Sequence, residues 1–370
     1  MNSSSLYWCD MGEPRALWVS TSTNTRGGVA TYVRTIQQTQ LWIDWNIRHV
    51  ATHRDGSAWA KIGAFARGAV LFVFELIRFR PSLVHLHASA DASFLRKGIL
   101  FWISQLAGVP VVLHIHDSGF PEYYGNSPRA IQAIIRATFC RASAVVALSD
   151  AWATRLRVIA PTARITVIPN AVRPGRRVTQ PARGEPVHMV FLGRIGDHKG
   201  AFRLLEAWAK LALDPDSGAG CRKVATLTMA GDGEVERARR RIRELRLEDT
   251  VELREWLSKS DVDELLDRAH ALVLPSRNEG QPMAVLEAMA RGLCIIASDV
   301  GGLPEMIGGG YGVIVPPDDI DAIADASRLV IDDRDLRARY GAAAYARVEA
   351  HFDARAVSRR IDALYREVSR

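Results

Sequence analysis

The sequence predicts an α/β protein made of two doubly wound parallel sheets in tandem. Three observations predict it. Short apolar runs alternate with amphipathic stretches over almost the whole chain, the pattern of buried parallel strands and their crossover helices. The alternation breaks once, in NAVRPGRRVTQPARGEP (170–186), a stretch rich in Pro, Gly and Arg with no periodicity, and then resumes. Finally, 370 residues of which 48% are hydrophobic are long for one core and natural for two.

In chain order, the strands expected in the first half are ALWVS (16–20), LVHLH (83–87), VVLHIH (111–116), AVVALS (144–149) and ITVIP (165–169), with helices between them. Those of the second half are HMVFLG (188–193), VATLTMA (224–230), TVELRE (250–255), ALVLPS (271–276), CIIASD (294–299) and GVIVPP (312–317). The domain reading is therefore 1–171, a linker at 172–186, and a second domain at 187–351. A last amphipathic segment, 352–370, places Ala356, Ile361, Leu364 and Val368 roughly on one helical stripe. Sheets of this kind bind ligands beyond the carboxyl ends of their strands, so a site shared by two of them is expected in a cleft between domains.

Composition narrows the function. Cys9, Cys140, Cys221 and Cys294 form no close pair and read as free thiols of a reducing compartment. The first residues, MNSSSLYWCDMGEPR, lack a basic start followed by an apolar run, so a cytoplasmic location is expected. The net charge of +7 is uneven: residues 1–174 hold 18 Lys and Arg against 9 Asp and Glu, and the remainder 30 against 32. A basic first half suits an anionic partner such as a phospholipid headgroup or a lipid-linked phosphate, or is ordinary solubility charge. No basic run with interleaved aromatics is present, so nucleic acid is not expected as a partner. AKIGAFARGAVLFVFELIRFR (60–80) combines an apolar face with Lys61, Arg67, Arg78 and Arg80. It reads either as a helix lying on an anionic membrane or as a core helix with basic ends.

A doubly wound sheet invites a nucleotide, yet neither G-x-G-x-x-G after the first strand nor G-x-x-x-x-G-K-[ST] occurs. Directly after ALWVS the chain reads TSTNTRGGVATYVRTI, in which Gly27 and Gly28 enter a helix. Such a pair makes either a tight turn or an anion site. In FLGRIGDHKG (191–200) a strand ends at Gly193, with Arg194 and Lys199 next at its carboxyl end. Two cations there suit phosphate oxygens, the alternative being solvated surface charge.

The third segment is RNEGQPMAVLEAMARG. Pro282 fits the first helical position and Gly292 the stop. Glu279 stands at the helix mouth, and Glu287 lies five residues past Pro282, about 7.5 Å along the axis. A carboxylate among Ala, Val, Leu and Met needs a partner. A ribose diol would serve Glu287, as would an internal Arg; Glu279 either orients a sugar hydroxyl or is a solvent-facing acid at the helix start. The D-x-D run at Asp261 to Asp263 opens a helix and reads as capping, so no metal is expected.

NEGQPMAVLEAMARG, with ASDVGGLPEMI (297–307) after it, resembles the retaining glycosyltransferases of family 4, which have the GT-B fold. GRIGDHKG looks like their phosphate-binding loop, and GGV near the N-terminus and HIHD (114–117) also fit. The resemblance covers nearly the whole chain. It implies two Rossmann-like domains facing across a cleft, acceptor-binding first and donor-binding second, with the last helix crossing back to the first. Arg194, Lys199, Gly27, Gly28 and the loop Gly280, Gln281, Pro282 and Met283 would bind a donor diphosphate. Glu287 would hold the ribose, and Glu279 and His116 would stand at the reacting sugar; His114 and Asp117 are adjacent.

The implied reaction moves a sugar from a UDP- or GDP-linked donor to a hydroxyl without metal or other cofactor. The basic first half favours a lipid-linked saccharide acceptor of surface-polysaccharide assembly. An epimerase of the same architecture and a non-catalytic sugar-nucleotide binder remain as alternatives. Two positions depart from the resemblance: Gln281 stands where a large apolar residue is frequent, and TVELREW lacks a glycine common there, leaving the nucleobase open.

Overall fold

The computed structural model describes residues 14–182, 184–213 and 225–369. The chain forms two compact units, one of Met1–Ile168 with Ala354–Arg370 and one of Pro169–Asp353. Cys9 and Cys221 lie outside the described residues. Cys140 and Cys294 are free, the first exposed. Burial pushes the Cys294 thiol up to about 12, so it behaves as a small apolar side chain.

The first unit holds a six-stranded parallel sheet of β1 (Ala16–Ser20), β2 (Arg48–Ala51), β3 (Leu83–Ala88), β4 (Val111–Ile115), β5 (Ala144–Ala147) and β6 (Ile165–Val167), in the order β2-β1-β3-β4-β5-β6. Helices cover both faces, which is why the central strands β1, β3, β4 and β5 are buried at every position. The strand order reverses between β1 and β3, the place where such sheets open a crevice. The apolar pattern does not predict β2. Its residues RHVA form a half-exposed edge strand with only Val50 buried, too short and too polar to register as an apolar run.

Of the segment 60–80, all but the last two residues lie in the helix Ala58–Arg78, capped by the Ser57 hydroxyl. The last helix, Ala354–Val368, belongs to the first unit although it comes after the second in sequence. Its buried stripe is Val357, Ile361, Leu364 and Tyr365, with Ala356 and Val368 at the margins instead of on it. Asp362 accepts from Trp45 Nε1 at 2.8 Å, and Tyr365 reaches the sheet at His85.

The second unit holds β7 (Val187–Leu192), β8 (Ala225–Ala230), β9 (Val251–Arg254), β10 (Ala271–Leu274), β11 (Cys294–Ser298) and β12 (Val313–Val315), all parallel, in the order β12-β11-β10-β7-β8-β9. Here the order reverses between β7 and β10. The stretch 172–186, read as a linker, is bonded along this unit: Gly175 N–H donates to Ala290 O, Val178 N–H to Arg291 O, and Arg334 Nε to Pro181 O. Arg and Pro without periodicity remove the signal of regular structure but not the bonding capacity of the backbone.

Candidate functional site

β7 and β10 are neighbours at the point where the second sheet reverses, and both of the loops singled out in the sequence leave from their carboxyl ends. After β7 comes Gly193, then exposed Arg194, then a one-turn helix Asp197–Lys199 that ends at Gly200 in the left-handed region (φ 74°). After β10 come Pro275, Ser276 and the loop to the short helix Met283–Met289. A Cβ at Gly200 would overlap the Pro275 carbonyl, so glycine lets the two loops touch. Similarly, Gly301 (φ 56°), in the loop after β11, lies where a Cβ would overlap the Glu279 carbonyl oxygen, and Gly302 N–H donates to that oxygen at 3.1 Å.

This packing brings Lys199 and Glu279 together. Lys199 Nζ lies 2.5 Å from Glu279 Oε1, and Ser276 Oγ donates to the same oxygen at 2.7 Å. The Glu279 side chain is 6% exposed and that of Lys199 28%, so the carboxylate is compensated inside while the ammonium keeps a face to solvent. Glu279 is therefore not the solvent-facing acid of a helix start. Arg194, at the other side of the loop, has no ion-pair partner among the described residues, which leaves a cation at the strand ends open to an anion.

Glu287 is buried, and its partner is Lys259 at 3.1 Å, from the start of the helix Lys259–Arg268. The partner is not an arginine: nearby Arg291 binds Asp263 and Asp267 and gives Glu287 only a bond to its backbone carbonyl. Lys259 is half exposed and also binds Asp263 at 2.5 Å. The D-x-D run does open that helix: Ser258 caps Asp261 N–H and Asp261 reciprocates, while Asp263 takes Lys259 and Arg291.

Two positions of the 280–283 loop differ from expectation. Pro282 is the N-cap, one residue before the first helical position, and without an N–H it can shape an anion site but not bond to it. Gln281 is buried with its side chain engaged: Asn170 N–H donates to Gln281 Oε1 at 2.6 Å, and Asn170 Nδ2 to the Gln281 carbonyl at 2.8 Å. This amide pairing holds the entry of the second unit.

Gly27, Gly28 and His116 lie in the first unit. Gly27 (φ 126°) caps the helix Gly28–Gln37 after β1, and its Cβ position is open space. His116 comes directly after β4, half buried, with Nε2 2.9 Å from His87 Nδ1. Asp117 accepts from the N–H groups of Gly119 and Ala90, which makes it a turn residue.

The motifs do not nominate His87 or His85, nor the role of His114. The alternation in LVHLH and VVLHIH puts all four rings on one face of neighbouring strands, and that is the signal that could find them. His85 Nδ1 meets Tyr365 Oη at 2.5 Å, Tyr365 Oη accepts from Trp18 Nε1 at 2.6 Å, and His85 Nε2 lies 3.3 Å from His114 Nδ1. Nitrogens of His85, His87 and His114 lie within 4.8 Å of one another, the only such set of three potential metal donors among the described residues.

These rings are held neutral. Burial pushes His85 down to about 3, with His116 adding repulsion, and holds His87 and His114 well below the imidazole range. The unfolded chain takes protons near pH 6.5 that the folded rings refuse, so stability is full above that pH and falls as pH drops towards the folded values. Each ring should contribute roughly 1 kcal/mol of loss by pH 5.5. Urea titrations at pH 7.5 and 5.5 check this; equal unfolding free energies would contradict it.

Residues 34–171 match the glycosyl transferase 4-like domain, and residues 175–347 match the glycosyl transferases group 1. The chain belongs to the group 1 glycosyltransferases. This glycosyltransferase is 28% identical over 331 residues to an alpha-D-kanosaminyltransferase of Streptomyces kanamyceticus, covering 83% of its own length and 84% of the relative's. It is 31% identical over 259 residues to the GDP-mannose:cellobiosyl-diphosphopolyprenol alpha-mannosyltransferase of Xanthomonas campestris, covering 66% of each chain. The glycosyltransferase also shares its GT-B fold with the sucrose-phosphate synthase of Thermosynechococcus elongatus, at a TM-score of 0.79 and 19% identity over 96% of this chain and 99% of that one. Anabaena HepE in complex with UDP gives a TM-score of 0.73 at 18% identity over 95% and 100%.

Proposed function

We propose that this glycosyltransferase moves a sugar from a UDP- or GDP-linked donor to an acceptor hydroxyl with retention of anomeric configuration and without a metal. The observation that carries the donor half is the grouping of Arg194, Lys199 and Glu279 at the carboxyl ends of β7 and β10, where the second sheet reverses. In this reading Arg194 and Lys199 neutralise the diphosphate as charge grows on its leaving oxygen, an electrostatic effect that needs no reorganisation if the cations are already in place. Glu279, paired with Lys199 and Ser276, orients the sugar and favours its positive charge. It is not the covalent nucleophile; the departing phosphate oxygen takes the acceptor proton. Amides of Gly280 and Met283 add donors for the diphosphate. Glu287 takes the ribose hydroxyls in place of Lys259.

The first unit is assigned the acceptor; of its residues, Gly27 and Gly28, at the start of the helix after β1, keep the donor-diphosphate role that the resemblance implies, and His116, directly after β4, the role at the reacting sugar. A lipid-linked saccharide is the acceptor we favour. The basic first half and the polyprenol-linked substrate named for the Xanthomonas relative support it, and HepE with UDP supports the donor class. Incubating UDP- and GDP-sugars with and without a lipid-linked saccharide tests the scheme: nucleoside diphosphate should be released chiefly with acceptor, and the product anomer should match the donor's. An inverted product excludes retention, and donor turnover that ignores the acceptor excludes transfer.

Glu287→Gln should weaken nucleoside diphosphate binding by roughly 5- to 30-fold, the loss of one to two charge-assisted bonds. Calorimetric titration reads it directly. Unaltered affinity would return Glu287 to a purely structural partner of Lys259.

A further inference from the structure

The helix Ala58–Arg78 is apolar on two opposite faces, and among the described residues only one of them has a partner. Phe65, Ala69, Phe72 and Leu76 face the core of the first unit. On the other side Trp59, Ile62, Val70, Val73, Phe74 and Ile77 stand in solvent, with Trp59 82%, Val70 72% and Ile77 64% exposed. Their spacing of three and four, completed by Ala66, makes one stripe about 27 Å long. The helix Asp91–Leu106 packs beside it and adds exposed Leu95, Ile99 and Leu106. Single exposed aliphatics are ordinary; a continuous stripe over five turns marks an interaction surface.

Charge identifies what covers it. Arg67 and Arg78 project from the edge of the stripe beside Phe74, and Lys61 and Arg80 stand near its two ends, all exposed. The helix has one acid, Glu75, and that is neutralised by Arg48 at 2.8 Å. An apolar stripe with a cationic rim and no free acid matches the boundary between anionic headgroups and acyl chains. The same cations prevent insertion across the bilayer, and no helix among the described residues is long and apolar enough to cross one.

We propose that the first unit lies on an anionic phospholipid surface through the outer face of the helix Ala58–Arg78, with the helix Asp91–Leu106 widening the contact. Trp59, Val70 and Ile77 enter the acyl boundary, and Arg67 and Arg78 meet phosphates. This face is independent of the donor site and rests on the proposed function only in that it brings a lipid-linked acceptor within reach.

The test is flotation of the full chain with phosphatidylglycerol–phosphatidylethanolamine vesicles and with phosphatidylcholine vesicles, for the wild type, Val70→Glu/Ile77→Glu and Arg67→Gln/Arg78→Gln. The wild type should float with the anionic vesicles, less as salt rises, and weakly with phosphatidylcholine. Each double variant should reduce partition by ~10-fold or more. Wild type that stays in the aqueous phase at low salt overturns the proposal, as do variants that float equally well. A lipid-free dimer split by Val70→Glu/Ile77→Glu overturns it too, because the stripe is then a self-association face. Nucleoside diphosphate titration of the same variants without lipid keeps the two readings apart. Retained donor binding with lost flotation speaks to this face alone, and lost donor binding in a wild type that floats speaks against the donor site alone.

Discussion

Lys199→Met should weaken binding of the nucleoside diphosphate by roughly 10- to 100-fold, the loss of a charge-assisted phosphate contact of about 1.5–3 kcal/mol. It should also lower stability, because Glu279 is left with Ser276 as its only partner on Oε1 while its side chain stays 6% exposed. Removing one member of a buried pair costs about 3–5 kcal/mol, and the 28% exposure of Lys199 puts this case near or below the low end of that range. The two effects separate in a cycle. Adding Glu279→Gln to Lys199→Met replaces the stranded charge with an amide and should restore most of the stability but none of the affinity. Denaturant midpoints and calorimetric titrations on the four proteins give both numbers. If affinity survives Lys199→Met, the cation does not face the diphosphate; if stability survives, Glu279 does not depend on it.

Gly301→Ala should be at least as damaging through a different cause. The residue holds φ at 56°, and the new methyl would overlap the Glu279 carbonyl oxygen, a backbone atom that cannot swing aside. Backbone strain of about 1 kcal/mol is common to any such position, and the overlap should raise the total to about 3 kcal/mol or more. Gly309 supplies the control: it also has positive φ (71°), but open space surrounds its Cβ position. Gly309→Ala should show the strain alone. Because Gly301 carries the loop that holds Glu279, its substitution should also impair donor binding in whatever fraction remains folded. Equal thermal shifts in the two variants would mean that the loop yields and the glycine is not needed for close approach.

The parts of this fold that are legible in the sequence are those whose signal is local. ALWVS is β1 residue for residue, and GRIGDHKG and NEGQPMAVLE announce themselves because strand end, glycine and charge fall within ten residues. β2 is not legible, since an edge strand with one buried residue leaves no apolar run. The partner of Glu287 is not legible either: Lys259 is remote in sequence and half exposed, so neither spacing nor burial nominates it. The same holds for Gln281 and Asn170, 111 residues apart. The four imidazoles are visible as letters, yet their pairing depends on the register of β3 against β4, which sets His85 beside Val112 and His87 beside His114. Nor can the pattern of residues 58–78 show which of two apolar faces has a partner, because periodicity reports a stripe and not its cover.

The membership of Ala354–Val368 in the first unit has a consequence for biosynthesis. The oxygen that Trp18 and His85 require belongs to Tyr365, so the earliest-made half of the molecule lacks a piece of its interior until the later half has been synthesised. At ~5–20 residues per second, a ribosome needs roughly 10–40 s to go from the end of β6 to that tyrosine. During that interval the nascent amino-terminal lobe exposes an unclosed seam, with Trp18 and the buried imidazoles beneath it.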